Sequence, residues 1–130
     1  MQPNGDGTTI DRFTIDDLQL VRSVVANAAH DAGLTDTRSE NLVTAVNEVA
    51  VNAVEHAGGH GSLSVVPSAM GVVVEVHDDG PGLPPRLNTA LPGPEATGGR
   101  GIWLASMLCR QITIASDPSG VTVRLFMPRT

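Results

Sequence analysis

The sequence predicts an α+β fold, a two-layer sandwich in which a mostly antiparallel, mixed sheet carries its helices on one face. Segments with β-type alternation and segments with helical periodicity follow one another in the order β-α-α-β-β-loop-α-β-β. Short turns separate two pairs of the predicted strands, which favours antiparallel pairing. The chain has 130 residues, 41% of them hydrophobic, which suits one domain with its own core. We therefore predict a flexible tail over residues 1–9 and a single domain over residues 10–130.

The first predicted elements are a short strand over residues 10–15 and a helix that reaches about residue 32. Thr14 and Asp17 have the spacing of a capping box, in which each side chain accepts a hydrogen bond from the other residue's backbone. Gly33 is suited to end the helix because glycine adopts the left-handed conformation needed there.

A longer second helix is predicted over residues 37–57, with Thr37 and Glu40 as its capping box and Gly58 and Gly59 as its stop. The rest of the chain predicts a turn around Pro67, a second turn at residues 117–120 and a loop at residues 80–99, which holds five of the nine prolines. The remaining elements are strands over residues 62–66, 71–78, 111–115 and 121–127 and a helix over residues 101–109.

Composition excludes several classes of function. The net charge is −6, all eight basic residues are arginines and no two are adjacent, which argues against direct nucleic-acid binding. The chain has neither an apolar run of about 18 residues nor an N-terminal signal pattern, so we predict no membrane segment. The single cysteine, Cys109, excludes an internal disulfide and fits a small apolar residue better than a nucleophile. A cytoplasmic protein is the prediction.

The second predicted helix carries three polar residues, Glu48, Asn52 and His56, at intervals of four along the margin of its apolar face. The amide oxygen of Asn52 is a hard ligand suited to Mg²⁺, which takes few protein ligands together with phosphate oxygens and water. Glu48 could accept a proton from a hydroxyl that attacks a phosphate. The alternative for Glu48 is an ordinary amphipathic helix edge, and His56 is more typical of a core-margin residue than of a ligand.

Alternation along residues 71–78 places three valines and Asp78 on the buried face, and His77 and Asp79 on the other. A carboxylate at a buried position needs partners. Asp78 either accepts a ligand N–H or hydrogen-bonds the backbone of the turn that follows it, whereas Asp79 is expected to be solvated.

Two glycine-rich stretches flank the predicted loop. Gly80 and Gly82 form either a proline-glycine turn or a flat surface that a ligand can approach closely. Gly99, Arg100 and Gly101 precede the third helix, whose N-terminal N–H groups favour an anion. The alternatives there are a flexible hinge and a solvated arginine.

In combination these motifs resemble the N, G1 and G2 boxes of the GHKL ATPases, and read "NEVAVNAVEHA", "DDGPGL" and "GGRGIWLA". The stretch "LVTAVNEVAVNAVEHA" is similar to the anti-sigma-factor serine kinases of the RsbW/SpoIIAB type. The resemblance covers roughly residues 10–128. It implies the Bergerat/GHKL fold, with an ATP lid over residues 83–97.

The resemblance also implies roles for individual residues. Asp78 would accept the exocyclic amine of adenine, Asn52 would hold Mg²⁺ against the phosphates of ATP, and Glu48 would be the general base that activates a serine. The glycines and the arginine of the two flanking stretches would complete the nucleotide site: Gly80, Gly82, Gly99, Arg100 and Gly101. Relatives often carry Gly-Thr where this chain has Gly120-Val121, so adenine binding is expected to be weaker or less selective.

The resemblance further implies a sigma factor as the bound target, an anti-anti-sigma (STAS-domain) protein as the phosphorylated substrate, and a possible homodimer. Arg22 is a candidate partner contact, the alternative being an exposed surface arginine. A histidine kinase is a poor fit, because the chain leaves no room for a dimerisation helix pair that bears the phosphorylated histidine. Two further hypotheses remain open: a nucleotide-gated protein-binding module without phosphotransfer, and an interaction domain whose nucleotide site has decayed.

Overall fold

The computed structural model describes residues 7–56, 59–80 and 100–130. Gly82, Gly99 and the expected lid at residues 83–97 lie outside these ranges. The described strands are β1 (Thr8–Phe13), β2 (Gly61–Ser68), β3 (Gly71–Asp78), β4 (Gln111–Asp117) and β5 (Gly120–Pro128). The helices are α1 (Leu18–Asp31), which follows a 3₁₀ turn at Ile15–Asp17, α2 (Asp36–His56) and α3 (Arg100–Leu108).

The five strands form one sheet with the order β1-β2-β3-β5-β4, and each neighbouring pair is antiparallel. The helices α1 and α2 pack against the sheet, and α3 packs mainly against α2. The predicted α+β sandwich and its order of elements are therefore confirmed. None of the helices in the described ranges is long and apolar enough to cross a membrane.

The first predicted helix start is confirmed in detail. The Thr14 amide donates to Asp17 Oδ2 at 2.9 Å, and the Thr14 side chain accepts in return from the backbone of the 3₁₀ turn, which completes the capping box. Gly33 follows α1 with φ of 82°, in the left-handed region that glycine tolerates.

The second predicted start is wrong. Helix α2 begins at Asp36, because Thr35 and not Thr37 caps it. The Arg38 amide donates to Thr35 Oγ1 at 3.2 Å, and the Ser39 amide donates to the Thr35 carbonyl at 2.8 Å. A hydroxyl two residues earlier therefore satisfies the free N–H groups of the first turn.

The predicted turn around Pro67 is also displaced. Pro67 belongs to β2 and pairs with Val72, and the chain turns at Ala69 and Met70. The pairing of β1 with β2 ends at Thr8 and Val65, so the missing N–H of Pro67 removes no bond on that side.

The core lies between the helices and one face of the sheet. The apolar arc predicted for α2 is buried at Leu42, Val46, Val49, Ala50 and Ala53, and the three valines predicted to face inward on β3 are buried at Val72, Val74 and Val76. The helical period of about 3.6 residues on α2 and the strand period of 2 on β3 thus place their apolar side chains in one shared core layer.

Candidate functional site

The strand register places the C-terminal end of α2 at the end of the sheet where β3 finishes. Four residues separate His56, the last residue of α2, from Gly61, the first of β2. Ser62 pairs with His77, so β2 begins opposite the end of β3. The five Cα–Cα steps from His56 to Gly61 span at most about 18 Å even when extended. The end of α2 therefore lies near Asp78.

The third helix begins at the same end. Strand β4 starts with Gln111 opposite Phe126, at the far end of β5 from the Val121 that pairs with Asp78. Two residues join α3 to β4, so the chain reverses there, and the nine-residue helix extends about 13 Å back. Arg100 and Gly101, its first two residues, thus lie toward the Asp78 end of the sheet.

Glu48 and Asn52 are both half-buried on α2, between its buried arc and its exposed surface. Next to them, Arg22 of α1 donates from Nη1 to Asn47 Oδ1 at 2.9 Å, which links the two helices. Arg22 is exposed and has this intramolecular partner, so its proposed role as a partner contact stays a prediction.

Asp78 is half-buried at the end of β3, and its Oδ1 accepts a hydrogen bond from the Gly80 amide at 2.9 Å. The bond to the following turn, one of the two alternatives for this carboxylate, is thus present. It occupies one of about four acceptor sites on the ionised group, so Asp78 retains the capacity to accept a ligand N–H as well.

The start of β5 contacts the backbone of Asp78 directly. Gly120 has φ of 156°, and a side chain on it would collide with the Asp78 carbonyl oxygen. The next residue, Val121, is buried in the core, and Thr122 lies on the opposite face. A hydroxyl on β5 therefore does not reach the inner side of Asp78 from either position.

One group near this end was missed by sequence reasoning. His77 Nδ1 lies 2.8 Å from Thr122 Oγ1, and His77 Nε2 lies 3.0 Å from Asp79 Oδ1. Asp79 is solvated as expected, with its side chain 72% exposed, and the contact with His77 is an addition to that expectation. The available signal was the spacing of His77 and Asp79 by two residues, which places both on the outer face.

Several predicted site residues are only partly described. Gly80 is half-buried beside Asp78, whereas Gly82 and Gly99 lie outside the described residues. Arg100 and Gly101 form the first two residues of the α3 backbone. The nucleotide-contacting roles assigned to all these residues stay predictions.

Comparisons with known proteins agree with this architecture. The family model of the histidine kinase-like ATPase domain matches residues 12–127. Among solved structures, the RsbU and RsbW domains of Rv1364c from Mycobacterium tuberculosis superpose with a TM-score of 0.67 at 20% identity, covering 94% of this chain and 32% of that one. This chain therefore spans about a third of that protein. No curated protein matches the chain.

Two histidine kinase structures are similar over most of their length. The catalytic domain of histidine kinase ThkA in a nucleotide-free form gives a TM-score of 0.60 at 18% identity, covering 96% of this chain and 97% of that one. The histidine kinase domain of the blue-light activated EL346 protein from Erythrobacter litoralis gives 0.56 at 20% identity, covering 99% and 72%. These identities support the fold alone.

The fold and the matching family model define an ATPase domain of the GHKL class. The chain belongs to the histidine kinase-like ATPase domain family, which implies ATP binding.

Proposed function

We propose that this protein is an ATP-dependent serine kinase that also sequesters a sigma factor, and that it phosphorylates a serine on an anti-anti-sigma (STAS-domain) partner. The observation that carries the proposal is the joint placement of Glu48 and Asn52 on the half-buried margin of α2, whose C-terminal end lies near Asp78. The similarity to a structure that contains an RsbW domain supports the choice of a serine kinase.

The residues present fit a magnesium nucleotide. Asp78 retains acceptor capacity for the exocyclic amine of adenine after it accepts from Gly80. The start of α3, which follows a glycine-rich stretch, is suited to phosphates because its free N–H groups and dipole favour negative charge. Asn52 offers a half-buried amide oxygen, a ligand type that Mg²⁺ accepts. Bound Mg²⁺ would neutralise phosphate charge during transfer.

In the proposed reaction the serine hydroxyl of the partner attacks the γ-phosphorus of ATP. A new oxygen–phosphorus bond forms, the bond from the γ-phosphorus to the bridging oxygen breaks, and ADP leaves with that oxygen. The serine proton passes to the carboxylate of Glu48, which is half-buried and can therefore face a bound nucleotide without being fully desolvated.

The test is Glu48→Gln, assayed with Mg-ATP and a purified STAS-domain partner, with phosphoserine measured by mass spectrometry. We expect transfer to fall by at least about 100-fold, because a general base contributes that much. ATP affinity should be retained, since Glu48 is not assigned to nucleotide binding. Glu55→Gln is the matched control: Glu55 lies on the same helix but is exposed, and its replacement should leave transfer unchanged.

Two of the following outcomes would contradict the kinase activity, and the other would contradict the role of Glu48 as general base. Absence of phosphoserine with ATP bound by the wild type would indicate a nucleotide-gated binding module instead. Undiminished transfer by Glu48→Gln would remove Glu48 from its role. A wild-type protein that binds no ATP would indicate that the nucleotide site has decayed.

A further inference from the structure

The outer face of the sheet carries a hydrogen-bonded group of three side chains at the strand end that bears Asp78. We call Asp79, His77 and Thr122 the outer triad. Because an ionised carboxylate only accepts, His77 Nε2 carries a proton and donates to Asp79 Oδ1 over 3.0 Å. In the neutral ring, Nδ1 then accepts from the Thr122 hydroxyl over 2.8 Å. Both ring nitrogens are engaged, which restricts the orientation of the imidazole.

The turn after β3 is thereby held from both faces of the sheet. On the inner side, Asp78 Oδ1 accepts from the Gly80 amide at 2.9 Å. On the outer side, Asp79 is bonded to His77, which is itself bonded to β5 through Thr122. The backbone between Asp78 and Gly80 is thus tied to two strands by side chains that point in opposite directions.

We propose that His77 is a positioning residue for nucleobase recognition. By holding Asp79 against the outer face, it fixes the backbone of residues 78–80 and so the direction in which Asp78 presents its carboxylate. His77 lies on the opposite face from the proposed ligand and acts only through Asp79 and the backbone. The inference rests on the proposed function, and it adds a determinant of adenine selection that lies outside the N, G1 and G2 contacts.

The exposed surroundings of the outer triad limit the effect that it is expected to have on ATP affinity. His77 and Asp79 are 45% and 72% exposed, and they line an open cleft of about 250 Å³. The charged and titratable groups that share this cleft are Asp11 and Arg12 of β1 and His60, which precedes β2. Exposed polar pairs of this kind are weak. The triad is therefore expected to orient the turn and not to hold the domain together.

A matched control for the His77 variants is a pair of side chains two residues further along the same face of the sheet. Arg124 Nη1 donates to Glu75 Oε2 at 3.1 Å, in a cross-strand pair that joins the same two strands as His77 and Thr122. Glu75 is two residues before His77 and is not bonded to the turn. Glu75→Ala therefore removes an equivalent exposed bond without releasing residues 78–80.

The test measures ATP and GTP affinity by calorimetry and hydrogen exchange of the Gly80 amide by NMR, in the full chain. We expect His77→Ala to weaken ATP binding about two- to fivefold, to leave GTP binding and Mg²⁺ dependence unchanged, and to speed Gly80 exchange in the absence of nucleotide. Asp79→Ala should have the same effects, and the double variant should add nothing further. Thr122→Val should show a smaller loss of ATP affinity and a smaller increase in Gly80 exchange. Thr122→Ser and Glu75→Ala should behave as the wild type.

The outcomes separate the inference from the proposed function. If the wild type binds ATP and His77→Ala retains both the ATP-to-GTP ratio and the Gly80 exchange rate, the inference is overturned and the proposed function stands. If Glu75→Ala produces the same loss, the effect is general to the sheet and the positioning role is again refuted. If the wild type binds no ATP, the proposed function fails and the adenine role of His77 fails with it.

Discussion

Burial determines the chemistry of individual side chains in this domain, and Asp78 and Cys109 are opposite cases. Asp78 sits at a strand end, half-buried, where its carboxylate can still accept a hydrogen bond from a ligand. Cys109 follows α3 and is only 8% exposed, and burial raises the pKa of its thiol to about 12 because the thiolate is poorly solvated there. The thiol is therefore protonated at neutral pH and a poor nucleophile, in agreement with its predicted role as a small apolar residue.

Cys109 should control the alkaline stability of the protein. The chain contains neither lysine nor tyrosine, so Cys109 is the side chain that titrates between pH 9 and 12. Above pH 9 the unfolded chain loses the thiol proton while the folded chain keeps it. The free energy of unfolding should therefore fall by up to about 1.4 kcal/mol per pH unit as the pH rises toward 12, and be unaffected by this group below pH 9.

Urea unfolding of the wild type and Cys109→Ala at pH 8.5, 9.5 and 10.5 measures this dependence. The variant should show a nearly flat profile above pH 9, whatever its absolute stability. Equal slopes in the two proteins would show that another group causes the alkaline loss.

At the scale of elements, α2 combines a structural and a functional role on one surface. Its buried arc anchors the helix over the sheet, and this anchoring sets the position of Glu48 and Asn52 at the margin. The start of the helix matters for the same reason, because the first turn is held by the Thr35 hydroxyl. The sequence analysis predicted Thr37 as the cap, and a threonine at either position 35 or position 37 meets the local preference for an N-cap.

Replacing each threonine by alanine distinguishes them. Thr35→Ala should lower the free energy of unfolding by about 1 kcal/mol, because the first-turn N–H of Arg38 loses its acceptor. Thr37→Ala should change it by less than about 0.5 kcal/mol, since Thr37 is exposed and is not the cap. Chemical denaturation of the two variants measures the difference, and a larger loss for Thr37→Ala would restore the original assignment of the helix start.

At the scale of the whole molecule, the candidate site is assembled from three distant parts of the chain. The sheet order β1-β2-β3-β5-β4 inserts the last strand beside β3, so that Asp78 pairs with Val121. The same topology brings the end of α2 and the start of α3 to that end of the sheet. Binding of one ligand across these parts should therefore stabilise the fold as a unit.

Mg-ATP at 100 times its dissociation constant should stabilise the protein by about 2.7 kcal/mol, which corresponds to a rise of roughly 10 °C in Tm. Asp78→Asn should abolish the shift, and Asn52→Ala should remove its dependence on Mg²⁺. Thermal unfolding monitored by fluorescence of Trp103, a half-buried residue of α3, provides the measurement. Asp31→Asn, at an exposed acid that ends α1, is the control and should retain the full shift. No shift for the wild type at millimolar Mg-ATP would contradict nucleotide binding.

The sequence by itself determined the order of the elements, the buried faces of α2 and β3, the Thr14 capping box and the glycine that ends α1. Each of these depends on neighbours within a few residues, where periodicity and capping preferences act directly. The placement of Glu48 and Asn52 along one side of α2, and of Asp78 on the inner face of β3, could be predicted for the same reason.

Only the tertiary structure decided the strand order, the place of Pro67 inside β2, the choice of Thr35 over Thr37 and the outer triad. His77 and Thr122 are 45 residues apart in the chain, and no local pattern specifies that they pair. Register between distant strands is set by the packing of a shared core and by turn geometry, which act on the folded chain as a whole. The determinants that orient Asp78 therefore become visible only once β3 and β5 lie side by side.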